Sequence, residues 1–138
     1  MTETLDLFGS VISSYSRSNA IDDGILIEVP KEFSKEAGIT FPVAYTVGLS
    51  EYVEPDDIAE MPGQSSDGRL WDLLFMFRMA AKTSKTPSDR LTYKVIFQMR
   101  RQIHNRKITV PETITVYAVC GPGDNGEPVI TLMLPGED

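Results

Sequence analysis

The chain has 138 residues, 41% of them hydrophobic and 24% charged, with a formal net charge of −7 and a pI near 4.7. That is the size and make-up of one globular domain with a real core. No unbroken apolar run is longer than Leu73–Phe77, which falls far short of the ~20 residues of a membrane span. The acidic balance argues against general affinity for nucleic acid.

Met1–Phe8 carries Glu3 and Asp6 but no cation, which is unlike a secretory signal. The single cysteine, Cys120, can form no internal disulfide and suits a reducing cytoplasm. Ser18–Asp23 reads as a short helix ending at Gly24, and Ile25–Val29 alternates like a strand that stops at Pro30. Lys31–Ala37 looks helical with Gly38 beyond its end. Pro42–Tyr52 fits helix or strand, and helix is favoured. Glu51–Gly68 has two prolines, adjacent serines and six carboxylates, the pattern of a surface loop.

Ser66 or Asp67 is placed to cap a helix over Arg69–Lys82. Leu70, Leu73, Leu74, Phe77, Ala80 and Ala81 share one face, while Trp71 and Phe75 lie opposite, beside Arg78 and Lys82. Three strands follow. Leu91–Met99 and Thr113–Cys120 alternate with period two, and Val129–Leu134 is apolar on both faces except for Thr131. The turn formers Gly121–Gly126 join the last two. The expected fold is a single α+β domain over residues 1–138. A small antiparallel three-stranded meander packs against the central helix, with shorter helices from the first half.

Charge is zoned. Residues 1–67 carry net −10, residues 68–110 net +8, and residues 111–138 net −5. The basic end of the meander, Arg100, Arg101, His104, Arg106 and Lys107, reads either as a solvated hairpin end or as a contact for an acidic partner. The acidic Glu51, Glu54, Asp56, Asp57 and Glu60 form a solvated loop or, in the sharper reading, a mimic of a phosphate backbone for a basic partner. Because the Asp124–Glu127 turn lies at the other end of the meander from the basic one, the sheet should be electrically bipolar.

Catalysis has little to work with. His104 is the sole histidine and Cys120 the sole partner for a dyad; the hairpin would hold them tens of ångströms apart, where hydrogen-bond reach is required. Cys120 therefore reads as a small core residue. Asp124, Asn125 and Glu127 match no calcium-loop spacing and read as a plain turn. No metal or cofactor is implied. Ser13, Tyr15, Ser16 and Arg17, with Arg69, make a possible anion site or simply a polar strand end. Arg69 and Asp72, three apart, are spaced to pair on the helix surface. Trp71, Phe75 and Arg78 are core or a possible interface.

Four strings resemble a family of short bacterial, phage and plasmid proteins of unknown function: Phe8-Gly-x-Val-Ile-x-Ser-Tyr-Ser-Arg17, Ala20-Ile-x-Asp-Gly24, Gly68-Arg-Leu-Trp-Asp72 and the stretch from Cys120 to Asp138. The resemblance implies an accessory product of a mobile element and assigns no catalytic residue. The expected function is non-catalytic. The protein would bind a host protein or nucleoprotein complex in the cytoplasm, as an inhibitor of host defence of an anti-CRISPR-like or nucleic-acid-mimicking kind. Direct nucleic-acid binding and membrane association are not expected. The alternative is a small-molecule protein or enzyme that holds an anionic ligand.

Overall fold

The structure is a computed structural model that describes residues 16–84 and 88–137. Its elements in chain order are helix α1 (Arg17–Asp22), strand β1 (Leu26–Glu28), helix α2 (Lys31–Glu36), strand β2 (Val43–Thr46) and helix α3 (Val47–Val53). A 3₁₀ turn (Ile58–Glu60) and helix α4 (Ser66–Thr83) follow, then strands β3 (Arg90–Ile103), β4 (Arg106–Pro122) and β5 (Pro128–Met133). The strands form one sheet in the order β1-β2-β5-β4-β3, in which only β2 and β5 run parallel. The fold is α+β, with β3-β4-β5 as the expected meander.

The sheet is wider than expected because β1 and β2 extend it. Pro42–Tyr52 corrects to a strand followed by a helix. Val43, Ala44 and Tyr45 are all buried, as befits a strand flanked on both sides, so the alternation that marks a half-exposed strand is missing. Thr46 then starts α3 by accepting the Leu49 N–H with its hydroxyl.

α4 begins earlier than the expected Arg69, and its cap is Ser65, whose Oγ accepts the Gly68 N–H. Leu70, Leu73 and Leu74 enter the core against Tyr93, Val95, Phe97 and Met99 of β3 and Ile114, Val116 and Ala118 of β4. The Tyr93 hydroxyl, buried among them, donates to the Leu73 carbonyl, and burial pushes its pKa well up. α2 and α3 share that face of the sheet through Phe33, Ala37, Leu49 and Val53. α1 covers the other face. Its Arg17 reaches Thr131, whose neighbours Ile130 and Leu132 point into the core.

β3 and β4 outrun the sheet. They pair along fourteen positions, from Arg90–Val119 to Ile103–Arg106, whereas β5 joins β4 only from Tyr117 to Pro122. His104 and Asn105, with φ of 50° and 65°, are the whole turn. Two successive positive φ values are the mark of the type I′ turn that matches strand twist. The expected basic turn over Arg100–Lys107 is therefore mostly strand, forming the tip of a two-stranded arm.

One side chain joins the layers. Arg69 is only 2% exposed. Its guanidinium donates to the carbonyls of Tyr52 and Gln98, touches the Sδ atoms of Met61 and Met99, and stands 5.4 Å from the centre of the Phe97 ring. The expected surface pair with Asp72 is not formed. Burial lowers the Arg69 pKa, opposed by the charge of Asp57. Arg69→Ala would strand two carbonyls, each worth ~1–3 kcal/mol when left unpaired. A loss of about 2–4 kcal/mol in urea unfolding is expected; a loss under about 1 kcal/mol would deny the clamp its role.

Candidate functional site

The charged arm and the acidic loop meet. Lys107 lies 3.9 Å from Asp57, and Arg100 lies 3.7 Å from Glu60. Arg101 makes a two-pronged pair with Glu112 on the facing strand, which holds the Glu112 carboxyl below the usual carboxylate range. The two surfaces that the sequence presents separately are therefore one patch of mixed sign. Arg101–Thr109 are all exposed, Ile103 and Ile108 among them. Arg106 carries no ion pair among the described residues, and Glu51, Glu54 and Asp56 stay exposed. The basic end and the Asp124–Glu127 turn do lie at opposite ends of β4.

The anion-site residues divide. Ser13 and Tyr15 lie outside the described residues. Ser16 caps α1, its Oγ accepting the Asn19 N–H. Arg17 donates to the Ile130 carbonyl and the Thr131 hydroxyl at 2.9 and 2.7 Å. Burial lowers the Arg17 pKa, with Glu28, Asp124 and Glu127 opposing. An open groove of about 650 Å³ runs past Ser16 and Arg17, but Arg69 is not in it. Beside α1 a carboxylate is already in place. Asp124 accepts the Arg17 and Ser18 N–H groups at 2.8 and 3.0 Å, so the turn residue that looked idle holds the helix start.

Two other tight spots resolve in the same way. Glu127 accepts the Asn125 N–H inside its own turn. Glu137 accepts from the Thr46 hydroxyl and the Leu134 N–H, tying the end of the chain to the start of α3. Each contact joins residues too far apart in sequence, or too ordinary in type, for a local pattern to announce.

Cys120 is half-buried rather than a full core residue. It lines a cleft of about 370 Å³ with Phe77, Ala81, Leu91, Ala118 and Ile130. His104 sits before β4 and Cys120 near the strand's far end, roughly 45 Å along it, so the pair cannot act as a dyad. Among the described residues no cluster of histidine, cysteine and carboxylates is arranged to hold a metal, and no helix is long and apolar enough to cross a membrane.

Trp71 is half-buried and stacks on Phe75, ring centres 4.7 Å apart and planes 12° off parallel. Arg78 turns away from them and donates to the Ala37 and Gly38 carbonyls, closing the end of α2. The family model for the Family of unknown function (DUF6573) matches residues 6–138. The chain belongs to that family. No curated protein and no solved structure matches it. In this member, Gly68-Arg-Leu-Trp-Asp72 and the stretch after Cys120 are occupied with holding the fold through Arg69, Asp124, Glu127 and Glu137.

Two outcomes follow from these contacts. Asp124→Ala should loosen α1 by about 1 kcal/mol, seen as roughly fivefold faster amide exchange at Ala20 and Ile21 with the strands unaffected. Unchanged exchange there would remove the cap from the account. For Glu112 the folded pKa lies below the unfolded one, so the pair stabilises above the ordinary glutamate range and fades as pH falls through the depressed value. Glu112→Gln should therefore unfold earlier in urea at neutral pH, and its gap from the parent chain should close as pH falls through that depressed value. A gap between the two that persists in acid would contradict the pairing.

Proposed function

We propose that the protein is a non-catalytic accessory protein of a phage or mobile element that works in the cytoplasm by binding a host protein or nucleoprotein complex, in the manner of an inhibitor of host defence. The observation that carries this reading is the β3–β4 arm. A fold needs no two-stranded ribbon beyond its core, and this one closes in a two-residue turn, is exposed over Arg101–Thr109 and is tipped with Ile103 and Ile108 among cations. Apolar side chains set among charges are the usual make-up of a contact whose charges steer and whose apolar groups hold.

The acidic loop has a second part in this reading. Asp57 and Glu60 hold Lys107 and Arg100, and a partner richer in carboxylate or phosphate would compete for those cations. Glu51, Glu54 and Asp56 stand by to repel a purely acidic surface or to meet a basic one. The partner that fits is one with both signs of charge, which favours a protein or a nucleoprotein over naked nucleic acid.

The test is capture from host lysate, with nuclease, by the parent chain, by an arm variant (Ile108→Asp with Arg106→Glu) and by a loop variant (Glu54→Lys with Asp56→Lys). A stoichiometric protein bound by the parent should be lost at least about tenfold on the arm variant, with folding unchanged by circular dichroism. Equal capture by parent and arm variant would take the arm out of the function. Loss on the loop variant alone would move the contact to the acidic surface.

A further inference from the structure

α4 is an 18-residue helix, ~27 Å long at 1.5 Å per residue. One side, Arg69, Leu70, Leu73 and Leu74, is buried in the core. On the other side Phe75, Met76 and Met79 are 38%, 40% and 41% exposed, with Trp71 stacked on Phe75. Asp72, Phe75, Met79 and Lys82 follow one another at alternating steps of three and four, the spacing of a narrow helix-pairing seam. An aromatic and two thioethers in the middle of a helix's outer face are costly to leave in water.

The charges on that face name its occupant. Asp67 and Asp72 lie toward the N-terminal end and Lys82 toward the C-terminal end, and all are exposed. Asp72 has no ion-pair partner among the described residues, and desolvation raises its pKa. A second copy laid parallel would set acid against acid and lysine against lysine. Laid antiparallel with Phe75 on the axis, it sets each Lys82 level with Gly68 of the other copy, within a turn of both Asp67 and Asp72 there. The same arrangement opposes the two helix dipoles. A face that complements itself under a two-fold rotation is what an isologous dimer needs.

We propose that two copies of the chain dimerise through α4, packed antiparallel on its Trp71–Phe75–Met76–Met79 face with Asp72 and Lys82 paired at the ends. The other exposed pairing element is less suited. β3 forms one edge of the sheet and carries no carboxylate of its own, and with Arg100 and Arg101 already paired to Glu60 and Glu112 it has no self-complementary charge pattern like that of α4. One helix pair of this length lies at the small end of specific interfaces, below ~1,200 Å² in total, so the dimer is to be sought at high protein concentration. The inference does not rest on the arm. Failure of the capture experiment leaves it standing, and its own failure leaves the arm reading intact.

The test is sedimentation of the full chain from low micromolar to about 1 mM, joined to cross-linking in a Cys120→Ser background. A reversible monomer–dimer equilibrium is expected, and Phe75→Asp should be monomeric throughout. Phe75→Cys should form a disulfide-linked dimer under mild oxidation, while Ile96→Cys, on the 60% exposed position of β3, should not. Asp72→Lys should weaken the dimer about tenfold, and adding Lys82→Asp should restore it to within about threefold. A parent chain that stays monomeric across the range overturns the proposal, as does a dimer that cross-links through Ile96→Cys and not Phe75→Cys. The cysteine pair decides the matter even where Phe75→Asp fails to fold.

Discussion

The Arg69 guanidinium is the contact on which most of the layout depends. It is a buried cation with no carboxylate at ion-pair distance among the described residues, held by two main-chain carbonyls, two thioether sulfurs and the Phe97 ring. Burying a charge in this way is expensive, and position is what is gained. Tyr52 sits near the end of α3, Arg69 in the first turn of α4 and Gln98 midway along β3. One planar group therefore fixes both ends of the acidic loop to the strand that becomes the arm. Met61, within the loop, packs on the same group. Asp57 and Glu60 reach Lys107 and Arg100 because the loop's ends have nowhere else to go.

The other long-range ties repeat the device at smaller cost. Asp124 reaches from the β4–β5 turn to start α1, and Glu137 braces the Thr46 cap of α3. Arg17 fastens α1 to β5, and Arg78 fastens the end of α2 to α4. Short helices of six or seven residues barely hold by themselves. Here each is pinned at one end by a charged side chain from a distant element. Residues that look like functional outliers in the linear sequence thus serve the fold, and the arm and the outer face of α4 remain as surfaces the fold does not use.

How much of this is legible in the sequence follows from what each element depends on. α4 and the buried halves of β3 and β4 are written in apolar periodicity, and β5 in an apolar run, because burial decides their residues. The outer halves of β3 and β4 are not buried, so no alternation marks them. His-Asn is also a weaker turn signal than Asn-Gly, and the arm passed for a broad turn. β2 hid because both of its faces are covered. Arg69 and Asp124 were visible as residues but not as contacts. Arg69 sits three before a carboxylate, which suggests a surface pair, and Asp124 meets α1 more than a hundred positions away. Charge zoning showed two opposed surfaces, and only the folded chain brings them together.

The pairing of Gln98 with Pro111 carries a consequence for solubility. Both residues lie on the stretch of the β3–β4 ribbon that outruns β5, six positions beyond Tyr117, and a proline is tolerated without loss only where its missing N–H would have pointed away from the partner strand. The Cys120 N–H bond to the Asp89 carbonyl and the two-residue turn set the same alternation. At this one level, then, the ribbon offers no donor on its β4 side, and on its β3 side the carbonyl is already taken by Arg69. A stray strand loses ladder hydrogen bonds at that point along either margin. A long bare ribbon is ordinarily an invitation to fibril growth, and here both margins are interrupted at a single rung.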